Sequence, residues 1–322
     1  MSFDVILPFL RPIEPLILDH EISEIMVNGT GRVFTERHGQ LSEVPDVRIS
    51  EKHLQIAVRN IARTLGDDIS EEKPLLDARL PDGSRVAAVL PPCSLGGTTL
   101  TIRKFQAHRF SAEELVRIGS INIEVLRSLE TAIGSQQNIL ISGGTGTGKT
   151  TMLNALASFI DDGDRIVLIE DTAEIQIDKP NLVRFEARRE QPGIPAVTIR
   201  DLLRATLRHR PDRIILGEVR GGEAFDLLQA LNTGHSGTLS TIHANSAMQA
   251  LSRLTSCVLQ SGVELPYQAV RANIGDAVQW LLHLDRRQGK RAVGELLRVD
   301  RYDHQADQYL VTSLYRTPEP TL

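Results

Sequence analysis

Cysteine is scarce in this 322-residue sequence, which contains only Cys93 and Cys257 and no C-x-x-C pair. This scarcity excludes a disulfide framework and a zinc knuckle, and it favours a reducing compartment. The sequence also lacks an apolar run of membrane-spanning length, and its N-terminus lacks a basic segment followed by a long apolar core. The short apolar stretch at 3–10 contains Asp4 and Pro8, so we expect it to pack within the protein. We therefore expect a cytoplasmic protein.

A strong net charge is also lacking. The formal charge of −5 at pH 7 gives no global basic surface of the kind that nucleic-acid-binding domains carry. Arginine does cluster locally, from Arg184 to Arg213. Such a cluster favours a protein interface or a solvated face over a nucleic-acid groove, and the sequence leaves direct nucleic-acid binding open.

The length allows about two domains, and the first hundred residues have a pattern of their own. Four segments of this region have the pattern of regular secondary structure: a hairpin at 22–36, a helix from Ser50 to Leu65, and strands at 85–90 and 98–103. These segments predict a small α+β domain at 1–104, followed by a linker at 105–118 and a second domain at 119–322. Within the linker, Ser111 begins a capping box that predicts a short helix.

One stretch of the second domain predicts a specific chemistry. The spacing G-x-x-x-x-G-K-[ST] lies between an apolar strand at 138–142 and a helical segment, which is the pattern of a phosphate-binding P-loop. Glycines allow backbone N–H groups to wrap around phosphates, and the following helix presents its positive end to the same place. We expect Lys149 at the β- and γ-phosphates of a nucleotide and the Thr150 hydroxyl on Mg²⁺. The nucleotide-binding candidates are Gly143, Gly144, Thr145, Gly146, Thr147, Gly148, Lys149, Thr150 and Thr151.

From Ile121 onward strands and helices alternate, which predicts a mainly parallel sheet covered on both faces. Short apolar runs typical of buried parallel strands occur at 165–169, 213–216 and 239–242. A helical pattern runs from Pro266 toward Trp280, and two terminal strands, at 293–299 and 309–314, form a closing hairpin.

Ionisable residues follow several of these strands: Glu170, Asp171 and Glu174, then Glu218 and Arg220, and finally His243. Because ligands bind beyond the carboxyl ends of parallel strands, we expect these side chains to form one site with the P-loop. A zinc site from His235 and His243 is rejected, since no further ligand lies nearby in the sequence.

Phosphoryl transfer to water requires Mg²⁺, a group that orients the water, and positive charge at the γ-phosphate. Glu218 is the candidate for holding Mg²⁺ or its water, and Glu170 or Asp171 are weaker candidates. Glu174 is a candidate for polarising the attacking water, and the sequence does not decide between Glu174 and Glu218 for that role. His243 is the candidate sensor of the γ-phosphate.

Three segments after the P-loop resemble motifs of the secretion, or traffic, ATPases. Residues 169–174 resemble the aspartate box, 214–224 the Walker B region and 233–245 the histidine box, in the order of that family. Within the family, the sequence is most similar to the TrbB-like conjugative-transfer ATPases of type IV secretion. It lacks the four-cysteine zinc insert usual in type II and pilus motors, and it has Gly221 and Thr172 where pilus motors often have Asp and Pro.

The resemblance implies a RecA-like P-loop NTPase domain, preceded by the smaller α+β domain, in a homohexameric ring with ATP at the cleft between the two domains. It implies that arginines of the N-terminal domain reach the phosphates, and Arg85 and Arg103 are the candidates, with ordinary surface salt bridges as the other interpretation. It also implies that Arg220 links Walker B to the aspartate box or to a neighbouring subunit. Loss of the γ-phosphate is then expected to release a hinge near 105–118.

The implied function is an ATP-hydrolysing hexameric motor that powers assembly of, or transfer through, a type IV secretion or conjugation apparatus. The implied cofactors are ATP and Mg²⁺, and the implied partners are inner-membrane components of that apparatus, with peripheral contact to the membrane. Two alternatives remain: a type IV pilus or type II secretion motor with the same chemistry, and a nucleotide-gated assembly switch with negligible hydrolysis.

Overall fold

The computed structural model describes residues 2–37, 39–105, 110–188, 190, 193–287 and 290–317. The chain divides into two compact units, which we name unit 1 (Met1–His108) and unit 2 (Arg109–Leu322). The domain limits and the linker expected from the sequence stay predictions, and residues 106–109 of that linker lie outside the described residues.

Unit 1 is built on a six-stranded sheet in the order β3-β2-β1-β6-β5-β4, and all of its neighbouring strands pair antiparallel. Short 3₁₀ turns at Ser2–Val5, Leu7–Phe9 and Arg11–Ile13 precede the first helix. The strands and helices are α1 (Glu14–Leu18), β1 (Ile22–Val27), β2 (Arg32–Arg37), β3 (Gln40–Arg48), α2 (Glu51–Thr64), β4 (Leu75–Arg79), β5 (Arg85–Val89) and β6 (Thr99–Arg103).

Helix α2 illustrates why these residues fold as they do. Its apolar positions recur every three or four residues and are buried against the sheet: Leu54, Ala57, Val58, Ile61 and Ala62. The Ser50 hydroxyl accepts the backbone N–H of His53 and so caps the helix. The predicted hairpin at 22–36 and the predicted helix are both confirmed. The apolar N-terminal stretch is also part of the core of this unit, with Ile6 and Leu10 fully buried.

Unit 2 contains an eight-stranded sheet in the order β14-β13-β12-β7-β11-β10-β8-β9. Its elements are α3 (Ala112–Arg117), α4 (Ile123–Gly134), β7 (Ile139–Gly143), α5 (Lys149–Ala157), β8 (Ile166–Glu170), β9 (Leu182–Glu186), α6 (Ile199–Thr206), β10 (Arg213–Val219), α7 (Glu223–Asn232), β11 (Leu239–Ile242), α8 (Ala247–Leu259), α9 (Tyr267–Ala277), β12 (Trp280–Arg287), β13 (Lys290–Asp303) and β14 (Gln308–Arg316). The capping box predicted at Ser111 is present at the start of α3.

The six strands from β12 to β9 pair parallel, and β12, β13 and β14 form an antiparallel meander at one edge. The predicted mainly parallel sheet and the closing hairpin are confirmed. Alternate residues of one strand face two different hydrophobic cores: Val167 packs with the cluster of α6 to α9, and Leu168 packs with the cluster of α3 to α5. The helices therefore cover both faces of the sheet.

The helical pattern expected from Pro266 toward Trp280 is confirmed only in its first part, because α9 ends at Ala277 and Trp280 begins strand β12. This strand pairs parallel with β7 from Trp280 to Leu284, so it is the direct neighbour of the strand that leads into the P-loop. Among the helices in the described ranges, none is long and apolar enough to cross a membrane.

Candidate active site

The glycine-rich loop joins a fully buried strand, β7, to helix α5. Helix α5 begins at Lys149, directly after Gly148. Gly146 and Gly148 have φ values of +71° and +93°, a left-handed conformation that residues with a Cβ rarely adopt. The Thr147 hydroxyl donates to the Gly144 carbonyl at 2.9 Å and so closes the loop on itself. Thr150 and Thr151 lie in the first turn of the helix, whose N–H groups have no partner within the helix.

Gly143 allows a close approach between the loop and strand β12. A Cβ atom at this position would lie 2.6 Å from the Leu284 carbonyl oxygen and equally close to the Thr147 hydroxyl. A side chain at Gly143 would therefore displace the backbone of β12 as well as the loop. The start of the loop is in this way held against β12.

Lys149 is 9% exposed, and its ammonium group bonds to the loop itself. The Nζ atom donates to the carbonyl oxygens of Gly143 and Gly144 at 3.0 and 2.9 Å. Burial lowers the pKa of Lys149, and the charge of Glu218 acts against that shift. The lysine is therefore positioned at the mouth of the loop with a carboxylate nearby.

The structure gathers the ionisable residues that were predicted to lie at one edge of the sheet. Glu218 belongs to β10, Asp171 directly follows β8 and His243 directly follows β11. Since β8, β10, β11 and β7 are neighbouring parallel strands, their carboxyl ends meet at the edge where the P-loop lies.

These side chains form a continuous chain of contacts. His243 Nε2 lies 3.1 Å from Glu218 Oε1, and His243 Nδ1 lies 3.4 Å from Lys149 Nζ. Arg220 donates from Nη2 to Glu218 Oε2 and from Nη1 to Asp171 Oδ2, both at 2.9 Å. The expected link from Arg220 to the aspartate box thus exists as a hydrogen-bonded ion pair.

The charge state of His243 follows from its surroundings. Burial lowers the pKa of His243, the charge of Lys149 lowers it further, and Glu218 acts in the opposite direction. The neutral imidazole then accepts the Lys149 proton at Nδ1 and donates its own N–H from Nε2 to Glu218. The pattern of contacts therefore assigns one tautomer to His243.

Glu170 has a role that the sequence did not indicate. Its side chain is almost fully buried, and Oε1 accepts the backbone N–H groups of Glu174 and Ile175 at 2.8 Å each. Burial raises the pKa of Glu170, and the two backbone hydrogen bonds oppose that shift. Arg184 of β9 approaches the other oxygen at 3.6 Å. Glu170 thus anchors the loop that carries Glu174, and the anchored backbone leaves the Glu174 side chain exposed.

In unit 1, Arg85 and Arg103 are direct cross-strand partners on β5 and β6. Arg79 of β4, which the sequence did not single out, is the partner of Arg85 on its other side. Arg103 also lies 3.5 Å from Glu24. Directly opposed residues share one face of a sheet, so three arginines form a row there. The available sequence signal for Arg79 was its position directly before the turn at 80–84, with Arg85 directly after that turn.

Among the described residues, no group of three or more His, Cys, Asp or Glu side chains forms a metal centre. A nucleotide-bound Mg²⁺ requires fewer protein ligands, because phosphates and water supply the others. The Thr150 hydroxyl at the start of α5 and the Glu218 carboxylate of β10 provide hard oxygen donors of the type that Mg²⁺ prefers.

A glycine-rich loop between a buried parallel strand and a helix, with a carboxylate and a histidine at adjacent strand ends, defines a P-loop ATPase domain of the RecA-like type. The family described as "Type II/IV secretion system protein" matches residues 9–306, so the chain belongs to that family of secretion ATPases. The resemblance read from the sequence is thereby confirmed.

Individual relatives agree with this assignment. The chain is 36% identical over 288 residues to "Conjugal transfer protein TrbB" of Rhizobium radiobacter, covering 88% of this chain and 85% of that protein. It is 39% identical over 248 residues to "Uncharacterized protein MJ0781" of Methanocaldococcus jannaschii, covering 74% of this chain but only 34% of that longer protein. The X-ray structure of the Legionella pneumophila ATPase DotB has a TM-score of 0.63 at 21% identity, covering 90% and 79% of the two chains, and so supports the fold.

Proposed function

We propose that this chain hydrolyses ATP in the presence of Mg²⁺ and works as a homohexameric motor of a type IV secretion or conjugation apparatus. One observation carries the proposal: His243 contacts both Lys149 and Glu218. The P-loop pattern assigns Lys149 to the terminal phosphates, and the strand-end position assigns Glu218 to Mg²⁺ or water. The histidine thus links the phosphate-binding group to the candidate catalytic carboxylate.

Each group at the site has a chemical role that follows from its type. The N–H groups of the loop and of the first turn of α5 bind phosphate oxygens, and Lys149 compensates their charge. Thr150 and Glu218 would hold Mg²⁺, which neutralises charge on the β- and γ-phosphates when bound. Glu218 or Glu174 orients the attacking water, and the proposal leaves this choice to experiment.

His243 is suited to sense the γ-phosphate because its contacts are shared. Lys149 donates to Nδ1 of the imidazole, whose Nε2 faces Glu218. When Lys149 turns toward a phosphate, His243 loses that donor and its hold on Glu218 changes. Arg220 extends the effect to Asp171 through its second hydrogen bond. Nucleotide binding and loss of phosphate can thus be transmitted across three neighbouring strand ends.

The similarity to a conjugal transfer protein supports a conjugation apparatus as the machinery that this protein serves. We infer that inner-membrane components of such an apparatus are the partners and that the ring acts at the cytoplasmic face of that membrane. Direct nucleic-acid contact is tested separately by the salt dependence of DNA binding, because phosphate contacts lose affinity steeply as salt rises.

The test compares steady-state ATP hydrolysis and light-scattering mass for the wild type, Lys149→Ala and Glu218→Gln, with and without lipid vesicles. We expect a hexameric wild type that turns over, a Lys149→Ala variant that loses nucleotide binding, and a Glu218→Gln variant that binds nucleotide without turnover. Arg298→Ala is the matched control, because this exposed arginine of β13 pairs with Asp300, two residues away on the same strand.

Two outcomes would redirect the proposal. A wild-type monomer that binds ATP and stays inert with lipid present would indicate a nucleotide-gated switch. Hydrolysis by a hexamer that drives pilus extension or retraction in place of conjugation would keep the chemistry and change the client.

A further inference from the structure

Four cationic residues meet at the end of the β12–β13 hairpin. Arg286 is the cross-strand partner of Arg291, and Arg287 is the partner of Lys290. Like charges directly opposite each other on an antiparallel pair are destabilising. The only acidic residue in the segment 285–291 is Asp285, which has an oxygen 3.1 Å from the buried His283 ring. The end of the hairpin therefore carries four positive charges and one negative charge in its own sequence.

The same hairpin end lies beside the P-loop. Leu284 is the partner of Gly143 in the parallel pairing of β12 with β7, and Arg286 comes two residues later on the same side of the strand. A Cβ atom at Gly146 would lie 3.7 Å from Arg286 Nη1, and one at Gly148 would lie 3.8 Å from Arg291 Cδ. Both arginines are exposed, so their side chains line the outer rim of the loop.

The backbone that carries the two arginines is held independently of their side chains. On one strand, Gly143 approaches the Leu284 carbonyl so closely that no side chain fits between them. On the other strand, the Ser120 hydroxyl donates to the Arg291 carbonyl at 2.9 Å, and the Ser120 carbonyl accepts from the Val293 N–H at 2.8 Å. The positions of Arg286 and Arg291 relative to the loop are therefore set by backbone contacts.

We propose that Arg286 and Arg291 bind the phosphates of the nucleotide held by the P-loop of their own subunit. This inference rests on the proposed nucleotide-binding function and adds two residues to it. The loop offers N–H groups from inside its curve, and the two guanidinium groups offer fixed pairs of donors from its rim.

The first experiment measures the affinity for a fluorescent ATP analogue with Mg²⁺. Each single variant, Arg286→Ala or Arg291→Ala, is expected to bind roughly 3- to 10-fold more weakly, and the double variant on the order of 10- to 100-fold more weakly. Affinity for AMP falls less, because it carries less phosphate charge. Arg286→Lys keeps the charge without the fork and is expected to lie between the wild type and Arg286→Ala. Arg298→Ala serves as the control on the same strand.

A second measurement separates nucleotide binding from a purely structural role. Without nucleotide, the double variant should melt close to the wild-type temperature, because the backbone of the hairpin is held by its contacts with Gly143 and Ser120. With ATP, its rise in melting temperature should be smaller than that of the wild type. A double variant that melts lower without nucleotide and keeps the full ATP-dependent rise would overturn the inference.

The outcomes also distinguish this inference from the proposed function. If the wild type binds no ATP, the proposed function fails. If the wild type binds ATP, Lys149→Ala does not, and the double variant binds like the wild type, then only the present inference fails. Loss of binding to anionic phospholipid vesicles with unchanged ATP affinity would assign the hairpin cations to a membrane surface and would likewise overturn it.

Discussion

His243 Nε2 lies 3.1 Å from Glu218 Oε1 at the ends of two adjacent parallel strands. The opposite ring nitrogen faces the P-loop lysine, so the imidazole bridges an ammonium group and a carboxylate. A neutral ring satisfies both neighbours, because it accepts on one side and donates on the other. A protonated ring would present a donor and a positive charge to Lys149.

This arrangement predicts a pH dependence of stability. The pKa of His243 in the folded protein is below its ordinary value of 6.5, so the unfolded chain takes up the proton first as pH falls. The free energy of unfolding should therefore decrease as pH falls below about 6.5, until the folded-state pKa is passed. We would measure urea unfolding of the wild type and His243→Gln, without nucleotide or Mg²⁺, from about pH 7.5 to about pH 5.5.

The difference between the two proteins isolates His243 from the other histidines. His243→Gln should lack the part of the slope that arises from this ring. Parallel curves for the two proteins across the whole range would contradict the assigned charge state.

Replacement of Glu170 is expected to lower both stability and ATP turnover, and the cause is a loss of loop anchoring that does not involve Mg²⁺ binding. Replacement by Ala leaves the N–H groups of Glu174 and Ile175 without their acceptor, which should cost about 1–3 kcal/mol of unfolding free energy. ATP turnover should fall as well, because the loop that carries Glu174 loses its anchor. Glu170→Gln keeps an acceptor oxygen and should be milder in both measurements. Arg298→Ala, which removes an exposed ion pair with Asp300, is the control.

The parts of the site that could be predicted from the sequence are those with a local pattern. The P-loop is a contiguous segment whose glycines and lysine have fixed spacing. His243 follows an apolar run directly, and Glu218 follows another after one glycine. Because parallel strands end at one edge of a sheet, their meeting followed from the order of elements alone. The distances between the side chains could not be predicted in this way, since they depend on which strands are neighbours.

Strand β12 shows where the sequence pattern was insufficient. The segment that begins at Trp280 is a short apolar run after a helix, and periodicity alone does not separate a buried strand from the continuation of a buried helix. Its pairing with β7 is a contact between distant parts of the chain, which places Arg286 beside Gly146. The anchoring role of Glu170 depended in the same way on a loop conformation with no sequence signature.

Arg271 contacts three tyrosine rings, and we expect this cluster to stabilise unit 2. Its guanidinium lies 4.9, 5.1 and 5.7 Å from the ring centroids of Tyr309, Tyr302 and Tyr267, and it bonds to Asp307 at 2.6 Å. These contacts join helix α9 to the β13–β14 hairpin. Arg271→Met should lower the free energy of unfolding by about 2 kcal/mol, since it removes the cation from the three rings and the ion pair with Asp307.

Urea unfolding of Arg271→Met and Arg271→Lys, beside Arg298→Ala, measures this effect. The lysine variant should recover part of the loss, because it keeps the charge but not the planar group that stacks on the rings. Equal stability of Arg271→Met and the wild type would show that the aromatic cluster holds together without its cation.

Arg79, Arg85 and Arg103 form a row on one face of the sheet. Replacement of an arginine in this row is expected to affect catalysis more than it affects folding. Ion pairs at a solvent-exposed surface, such as that of Arg103 with Glu24, contribute little to stability, so replacing Arg85 or Arg103 with Ala should not lower the stability of unit 1 strongly. If Arg85 and Arg103 reach the phosphates, as the family resemblance implies, each Ala variant should reduce kcat on the order of 10³-fold or more. Arg32→Ala removes an exposed arginine of the same sheet, paired with Glu43, and should leave kcat unchanged.

Mixed rings would then reveal which subunit supplies the arginine. Lys149→Ala subunits keep Arg85 but cannot bind nucleotide, and Arg85→Ala subunits have the reverse defect. If a neighbouring subunit supplies the arginine, mixing two inactive proteins restores turnover, because some intact P-loops then lie next to intact arginines. If the arginine acts within its own chain, every subunit of the mixture still carries a defect and activity stays absent. A normal kcat for Arg85→Ala alone would instead assign these arginines to surface ion pairs.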